Sequence, residues 1–273
     1  MKNRAWILTL LFSLLTMTSL SGKVYDCFIF FNEVDLLKVR LEEMYNYVDH
    51  FVLVESEETF RGKPKPSYYL ENIEQFEKWA DKIIYVFNSG HYESISPWPR
   101  EAYQRNQIMK GLVDANDDDI ILISDVDEIV RGCDVQRVID SVMLHPKAVT
   151  GCIQPMYYFF FNRRFHGKDA DWQGTQATTY RTLKLSNPET VRTTTSSYHV
   201  HNSGWHFSSI GYDNFIQKLK AFSHKEYDTA SYLNNLDSLL INLEMVPIDD
   251  TFPKFIQENQ DYFRHIKFID ESN

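Results

Sequence analysis

The chain has little that would staple it, anchor it or draw it to polyanions. Three cysteines, Cys27, Cys133 and Cys152, occur in 273 residues. They allow at most one internal disulfide, lack close metal-ligand spacing, and read as buried small hydrophobes. Basic residues are outnumbered: 28 Lys and Arg stand against 38 Asp and Glu, a net charge of -10. That balance argues against a general nucleic-acid binder, whose affinity rests on many Lys/Arg contacts to phosphate. An anionic substrate therefore needs a metal ion or a local basic patch. There is no Asn-x-Ser/Thr acceptor, internal repeat or low-complexity segment. Nor does any fully apolar run reach the roughly 20 residues that span a bilayer comfortably. The longest, 5–15 with a weaker continuation to 20, follows Lys2 and Arg4 and precedes Ser21 and Gly22. Residues 1–22 are thus expected to be a signal peptide or a short signal anchor, with membrane attachment through 5–20 in the second case. The remainder would then face the secretory pathway or a membrane, the Golgi lumen in a eukaryote.

What is present is a core-forming composition, 43% hydrophobic and 15% aromatic, enough for one substantial domain over 23–273. Apolar runs at 24–31, 50–54, 83–87 and 120–123 read as strands. Between them lie helical spacings: Leu37, Leu41, Met44 and Val48, a short helix at 76–80, and a helix over 100–115 after Ser96-Pro97-Trp98-Pro99 with Ala102, Ile108, Met109, Leu112 and Val113 inward. Strand and helix alternating in this way predict an α/β fold, a Rossmann-like, mostly parallel sheet flanked by helices. After a helix at 133–144 the texture changes. Residues 148–161 and 177–184 are aromatic and β-branched, whereas 166–175 are polar, which predicts a smaller mixed section with exposed loops. Helices are expected near 213–222, 231–243 and 253–263. The halves divide at 145/146.

The sharpest chemical signal is Asp125-Val126-Asp127, closing the apolar run 120–123 and followed by Glu128. Two alternating carboxylates at a strand end give hard oxygen ligands for Mn²⁺ or Mg²⁺, and ligands of open α/β sheets sit beyond the carboxyl ends of strands. Ordinary turn chemistry after a strand explains the same pattern. Arg100 and Arg105 open a helix, where guanidinium groups can hold phosphate; a solvated helix face is the plainer reading. Glu55 ends a strand on the ligand edge and can accept from a ribose or a base. His199, His201 and His206 crowd beside Trp205, combining metal-binding imidazoles with a sugar-stacking indole. Asp213 starts a predicted helix, as an N-cap or as a general base. His224 and Glu226 follow as weaker candidates.

Together these blocks resemble a known family. Phe-Val-Leu-Val-Glu-Ser (51–56) with Thr59-Phe60 and Gly62, Arg100-Glu101 with Gln104-Arg105-Asn106-Gln107-Ile108, Ser-Asp-Val-Asp-Glu-Ile (124–129), Gly-Trp-His-Phe-Ser (204–208) and Phe-Ser-His-Lys-Glu (222–226) resemble glycosyltransferase family 17. The resemblance implies a GT-A-type fold and an inverting, β-1,4-linking transfer of GlcNAc from UDP-GlcNAc to a mannose-containing or related glycan. It also implies Mn²⁺ or Mg²⁺ held by Asp125, Asp127 and His206, and donor contacts from Glu55, Arg100, Arg105 and Asp125. Trp205 would meet the acceptor or sugar, and Asp213 would be the base. Two other readings fit parts of the pattern: a secreted carbohydrate-binding protein, and a phosphatase of the haloacid dehalogenase type with Asp125 as nucleophile.

Overall fold

The computed structural model describes residues 22–93, 96–211 and 243–272. Strand β1 (Val24–Phe30) is apolar at every position but Asp26, and is followed by helix α1 (Val34–Met44), which buries Leu36, Leu37, Leu41 and Met44. Strand β2 (His50–Ser56) returns parallel to β1. Helix α2 (Tyr68–Glu71) is capped by Ser67, whose side chain accepts from the Leu70 amide; a 3-10 segment (Ile73–Trp79) then leads to β3 (Ile83–Asn88), parallel to β2. Helix α3 (Pro97–Asn106), with proline in its first turn, carries the chain across to β4 (Ile120–Asp125), parallel to β1 on its other edge. The order β3-β2-β1-β4 therefore reverses direction between β1 and β4. A crevice opens beyond the carboxyl ends of two strands where their connections leave in opposite directions, and that is where such sheets take ligands. One apolar cluster packs on each face, around Phe28 and Leu122 on one side and Cys27 and Ile121 on the other, so both faces are covered as a parallel sheet requires.

Beyond β4 the pairing becomes mixed. After β5 (Glu128–Val130), α4 (Val135–Leu144), β6 (Thr150–Tyr158) and β7 (Arg163–Phe165), strand β8 (Asp171–Thr179) inserts antiparallel between β4 and β6. Helices α5 (Tyr180–Leu183) and α6 (Pro188–Thr193) follow, then β9 (Tyr198–His201) on β6 and β10 (Gly204–Ser208), which pairs with both β5 and β6. Strand β11 (Leu243–Met245) completes one sheet, eleven-stranded among the described residues. This is the expected α/β, GT-A-type architecture, a Rossmann-like parallel half joined to a mixed section, but the mixed section, with β5 to β11, is the larger rather than the smaller part.

Several local expectations are corrected. Residues 171–175 belong to the central strand β8 rather than to an exposed loop, because the strand's polar groups find partners inside: Thr175 donates to the Glu128 carbonyl at 3.1 Å and Ser196 to Gln176 at 2.7 Å. The strand expected at 177–184 ends at Thr179 and coils into α5. Helix α3 tightens into a 3-10 segment (Gln107–Gly111). Ile108 and Leu112 are buried, but the helical phase is lost and Val113 is 77% exposed. Cys27 and Cys152 are buried free thiols, whereas Cys133 is exposed. The helix expected at 253–263 is two short ones, Lys254–Glu258 and Gln260–His265. Residues 1–21, the helix expected at 213–222 and that expected at 231–243, apart from Leu243, which opens β11, lie outside the described residues. No helix among the described residues is long and apolar enough to cross a membrane.

Candidate active site

The site is built on the turn that joins β4 to β5, at the switch point. Asp125 is the last residue of β4 and registers with Ile29 of β1. Its amide donates to Glu128 Oε2 at 3.0 Å, closing the turn across three residues. Glu128 is almost fully buried; its Oε1 accepts from Trp172 Nε1 at 2.7 Å and from Arg192. Burial, with Asp125 nearby, raises its pKa against the pull of Arg192. Strand β10 pairs antiparallel with β5, His206 opposite Glu128, and the Phe207 amide donates to the Asp127 carbonyl at 2.8 Å. That pairing brings His206 Nε2 to 3.8 Å from Asp127 Oδ1.

The other carboxylate of the pair has different company. Asp125 Oδ1 accepts from Arg105 at 3.0 Å and Oδ2 lies 3.5 Å from Arg192. Arg105 also binds Glu101 at 2.8 Å and Glu189 of α6, and is only 3% exposed. Burial opposes its charge, but Asp125, Glu101 and Glu189 outweigh that and raise its pKa. Asp125 is thus oriented by buried Arg105 and half-buried Arg192. Of the three expected metal ligands, the structure brings Asp127 and His206 together and turns Asp125 toward cations.

Four donor or sugar assignments move. Arg105 is committed to carboxylates rather than presented to phosphate. Arg100 donates to the Phe60 carbonyl at 2.9 Å and pairs with Glu58 at 3.3 Å, so it holds the 58–62 loop. Gly62 at φ 72° lets that loop press on the guanidinium, where a Cβ would lie 2.8 Å from Arg100 Nη2. Glu55 points inward: it is fully buried and accepts from Lys65, Ser67, Tyr85 and the amides of Tyr68 and Tyr69. Trp205 is 2% exposed, with Arg131 over its ring at 4.9 Å and Phe207 parallel to it, so its indole is packed inside the fold. The indole beside the site is instead Trp172, half-buried, its ring 5.6 Å from that of His206. His199 and His201 lie exposed on β9. Asp213, His224 and Glu226 lie outside the described residues. Trp172, Glu189 and Arg192 were not legible in the sequence, since each reaches the turn from more than sixty positions away or from a stretch that reads as loop, except through the turn's own need for partners.

Beside the turn opens a cleft continuous with solvent and lined by Ile29, Phe30, Phe31, Thr59, Phe60, Gln104 and Val126 together with charged groups. Those charges are Glu33, Glu58, Glu101, Asp125 and Asp127, against Lys65 as the one cation among the described lining residues. Lys65 is itself paired with Glu55 at 2.8 Å, and burial lowers its pKa against that carboxylate's pull. Arg100 offsets Glu58, and Arg105 offsets Glu101 and Asp125, from behind this lining; a divalent cation beside Asp127 can complement the charge of an entering diphosphate. Two adjacent donors on one octahedral ion at about 2.1 Å stand about 3 Å apart, so Asp127 and His206, 3.8 Å apart, would close by roughly 1 Å to share one. No group of three His, Cys, Asp or Glu side chains suited to a metal occurs among the described residues, so phosphate and water would have to complete the coordination, as they do for Mg²⁺-type ions.

A family model described as glycosyltransferase family 17 matches residues 12–264. Two curated relatives, the β-1,4-mannosyl-glycoprotein 4-β-N-acetylglucosaminyltransferases of Homo sapiens and Rattus norvegicus, are each 33% identical over 109 residues, covering 36% of this chain and 20% of theirs. The match thus spans about a fifth of the relatives' length. Among solved structures, the mannosyltransferase PcManGT from Pyrobaculum calidifontis with GDP-Man and Mn²⁺ overlaps at a TM-score of 0.44 and 13% identity, over 81% of this chain and 68% of that one. GalNAc-T7 with UDP, GalNAc and Mn²⁺ overlaps at 0.43 and 10%, over 90% and 54%.

Proposed function

The chain belongs to glycosyltransferase family 17, and from that premise we propose that it transfers GlcNAc from UDP-GlcNAc to a mannose-containing glycan, with inversion and a β-1,4 linkage, in a step that depends on Mn²⁺ or Mg²⁺. The observation that carries the reading is the approach of Asp127 and His206 to 3.8 Å at the rim of an acidic cleft, at the sheet's switch point. The curated relatives' name supports the donor sugar, the acceptor and the linkage.

Asp127 and His206 would hold the cation, which supplies Lewis-acid stabilisation of the charge that develops on departing UDP. Asp125, its oxygens fixed by Arg105 and Arg192, accepts from a donor hydroxyl in a set orientation, and a carboxylate so paired is a poor nucleophile for phosphatase chemistry. Trp172, its indole N–H spent on Glu128, offers a half-buried ring beside His206 as a surface for a sugar. Asp213 removes the proton from the attacking acceptor hydroxyl in a single displacement.

A donor screen tests this. UDP release from UDP-GlcNAc, UDP-GalNAc, UDP-glucose and UDP-galactose is measured with N-glycan acceptors, with and without manganese, and the product linkage is read by NMR. Manganese-dependent release from UDP-GlcNAc with a new β-1,4 bond is expected. Glycan binding without any UDP affinity would replace the transferase by a lectin.

A further inference from the structure

Arg40, on α1, is 1% exposed, and burying a guanidinium is costly unless every donor is used. Asp26 on β1 takes Nε at 2.8 Å and also Nη2, which leaves the pair neutral as a unit. The remaining donors all go to one place. Nη1 donates to the carbonyl oxygens of Asp125 at 2.9 Å, Val126 at 3.3 Å and Glu128 at 3.0 Å, and Nη2 to Ser124 Oγ at 2.7 Å. The Phe28 ring lies 4.3 Å from the guanidinium carbon and fixes its plane.

Stability alone is a weak reason for this arrangement, because a buried ion pair is often no better than apolar side chains of the same volume. Its geometry has a more specific effect. Three carbonyls of one short turn drawn to one guanidinium fix the intervening peptide planes, and those planes decide where the side chains of Asp125 and Asp127 leave the backbone. We propose that Arg40 is a positioning residue for the cation site, clamping the 125–128 turn from inside so that Asp127 stands opposite His206. The clamp adds no net charge behind the site, since Asp26 neutralises it. A lysine cannot replace it, because a single ammonium lacks the fork that reaches Asp26 and three carbonyls together.

This inference rests on reading Asp127 and His206 as the cation-holding pair, and the experiment separates the two. Manganese is titrated into the full chain with and without UDP, followed by calorimetry and by the manganese EPR signal, for wild type and Arg40→Lys. Arg40→Lys is expected to melt as a folded protein, bind manganese with UDP about tenfold more weakly, and lose kcat with the acceptor KM unchanged. A general loosening of the fold would raise that KM as well, and this outcome would overturn the clamp. Wild type that binds no manganese in the presence of UDP sinks the site reading itself. Wild type that binds, beside a folded Arg40→Lys that binds equally well, overturns the clamp alone. Should Arg40→Lys fail to fold, Ser124→Ala deletes one hydroxyl from the same guanidinium. It is expected to weaken manganese–UDP binding about threefold, and unchanged binding there also overturns the proposal.

Discussion

Replacing Glu55 with glutamine separates a structural carboxylate from a substrate-binding one. Glu55 Oε1 accepts from Lys65 Nζ at 2.8 Å and the Tyr68 amide at 2.7 Å; Oε2 accepts from Ser67 at 2.8 Å, Tyr85 at 2.9 Å and the Tyr69 amide at 3.2 Å. Lys65 and the Tyr68 amide can only donate, so glutamine must keep its oxygen on that side. Its NH₂ then faces the second set, where the two hydroxyls can rotate to accept but the Tyr69 amide cannot. Lys65, 5% exposed, meanwhile loses its negative partner. Breaking a buried pair costs roughly 3–5 kcal/mol, and the opposed N–H groups add about 1 kcal/mol. A loss of about 4–6 kcal/mol lowers Tm by roughly 10–20 °C in a chain of this length. Calorimetric melting reads the stability, and titration with UDP and manganese well below the melting range reads the site. The expected result is a large fall in Tm with nucleotide affinity nearly intact. Unchanged Tm with lost UDP binding would refute the reasoning and return Glu55 to the donor.

Asp127→Ala should reduce sugar transfer by at least about a hundredfold while still melting cooperatively, because the carboxylate removed, though only 4% exposed, lines the cleft rather than the apolar core; a folded variant with full turnover would remove Asp127 from the site. Burial, eased by the Gly132 amide and by Arg131, raises the Glu43 carboxyl above its ordinary 4.5. The folded chain therefore keeps that proton after the unfolded chain has released it, and stability falls as pH rises through the folded value. Glu43→Gln, which can still accept from Gly132, should match wild type in melts near pH 4 and exceed it at pH 7.5. A difference that does not change with pH would count against a raised carboxyl.

The parallel half was legible because strands buried on both faces must be nearly continuous apolar runs, and β1, β2 and β4 are. Strand β8 was not, because Thr175 and Gln176 are polar yet satisfied inside. The carboxylate pair announced itself by its place after a strand. Its partners did not: Glu189 and Arg192 come from 84 and 67 residues away to Arg105 and Asp125, a proximity no local pattern encodes. The imidazoles crowded beside Trp205 suggest a sugar platform, but the indole packs against Arg131 and Phe207 at 2% exposure, and Trp172 in a polar stretch holds the accessible place. Arg40 left a readable trace, an arginine on the same helical face as Leu37, Leu41 and Met44. A charge set in a helix's inward stripe calls for a partner on the strand beneath.

The acidity of the cleft bears on how spent nucleotide would leave. With Glu33, Glu58, Glu101, Asp125 and Asp127 around it, and Lys65, Arg100 and Arg105 already engaged with carboxylates, the described lining offers a bare diphosphate no uncommitted cation once its counter-ion departs. Departure of the leaving group and loss of the ion would then be one event, and the ambient level of free divalent salt would govern both how readily the enzyme loads and how slowly it empties.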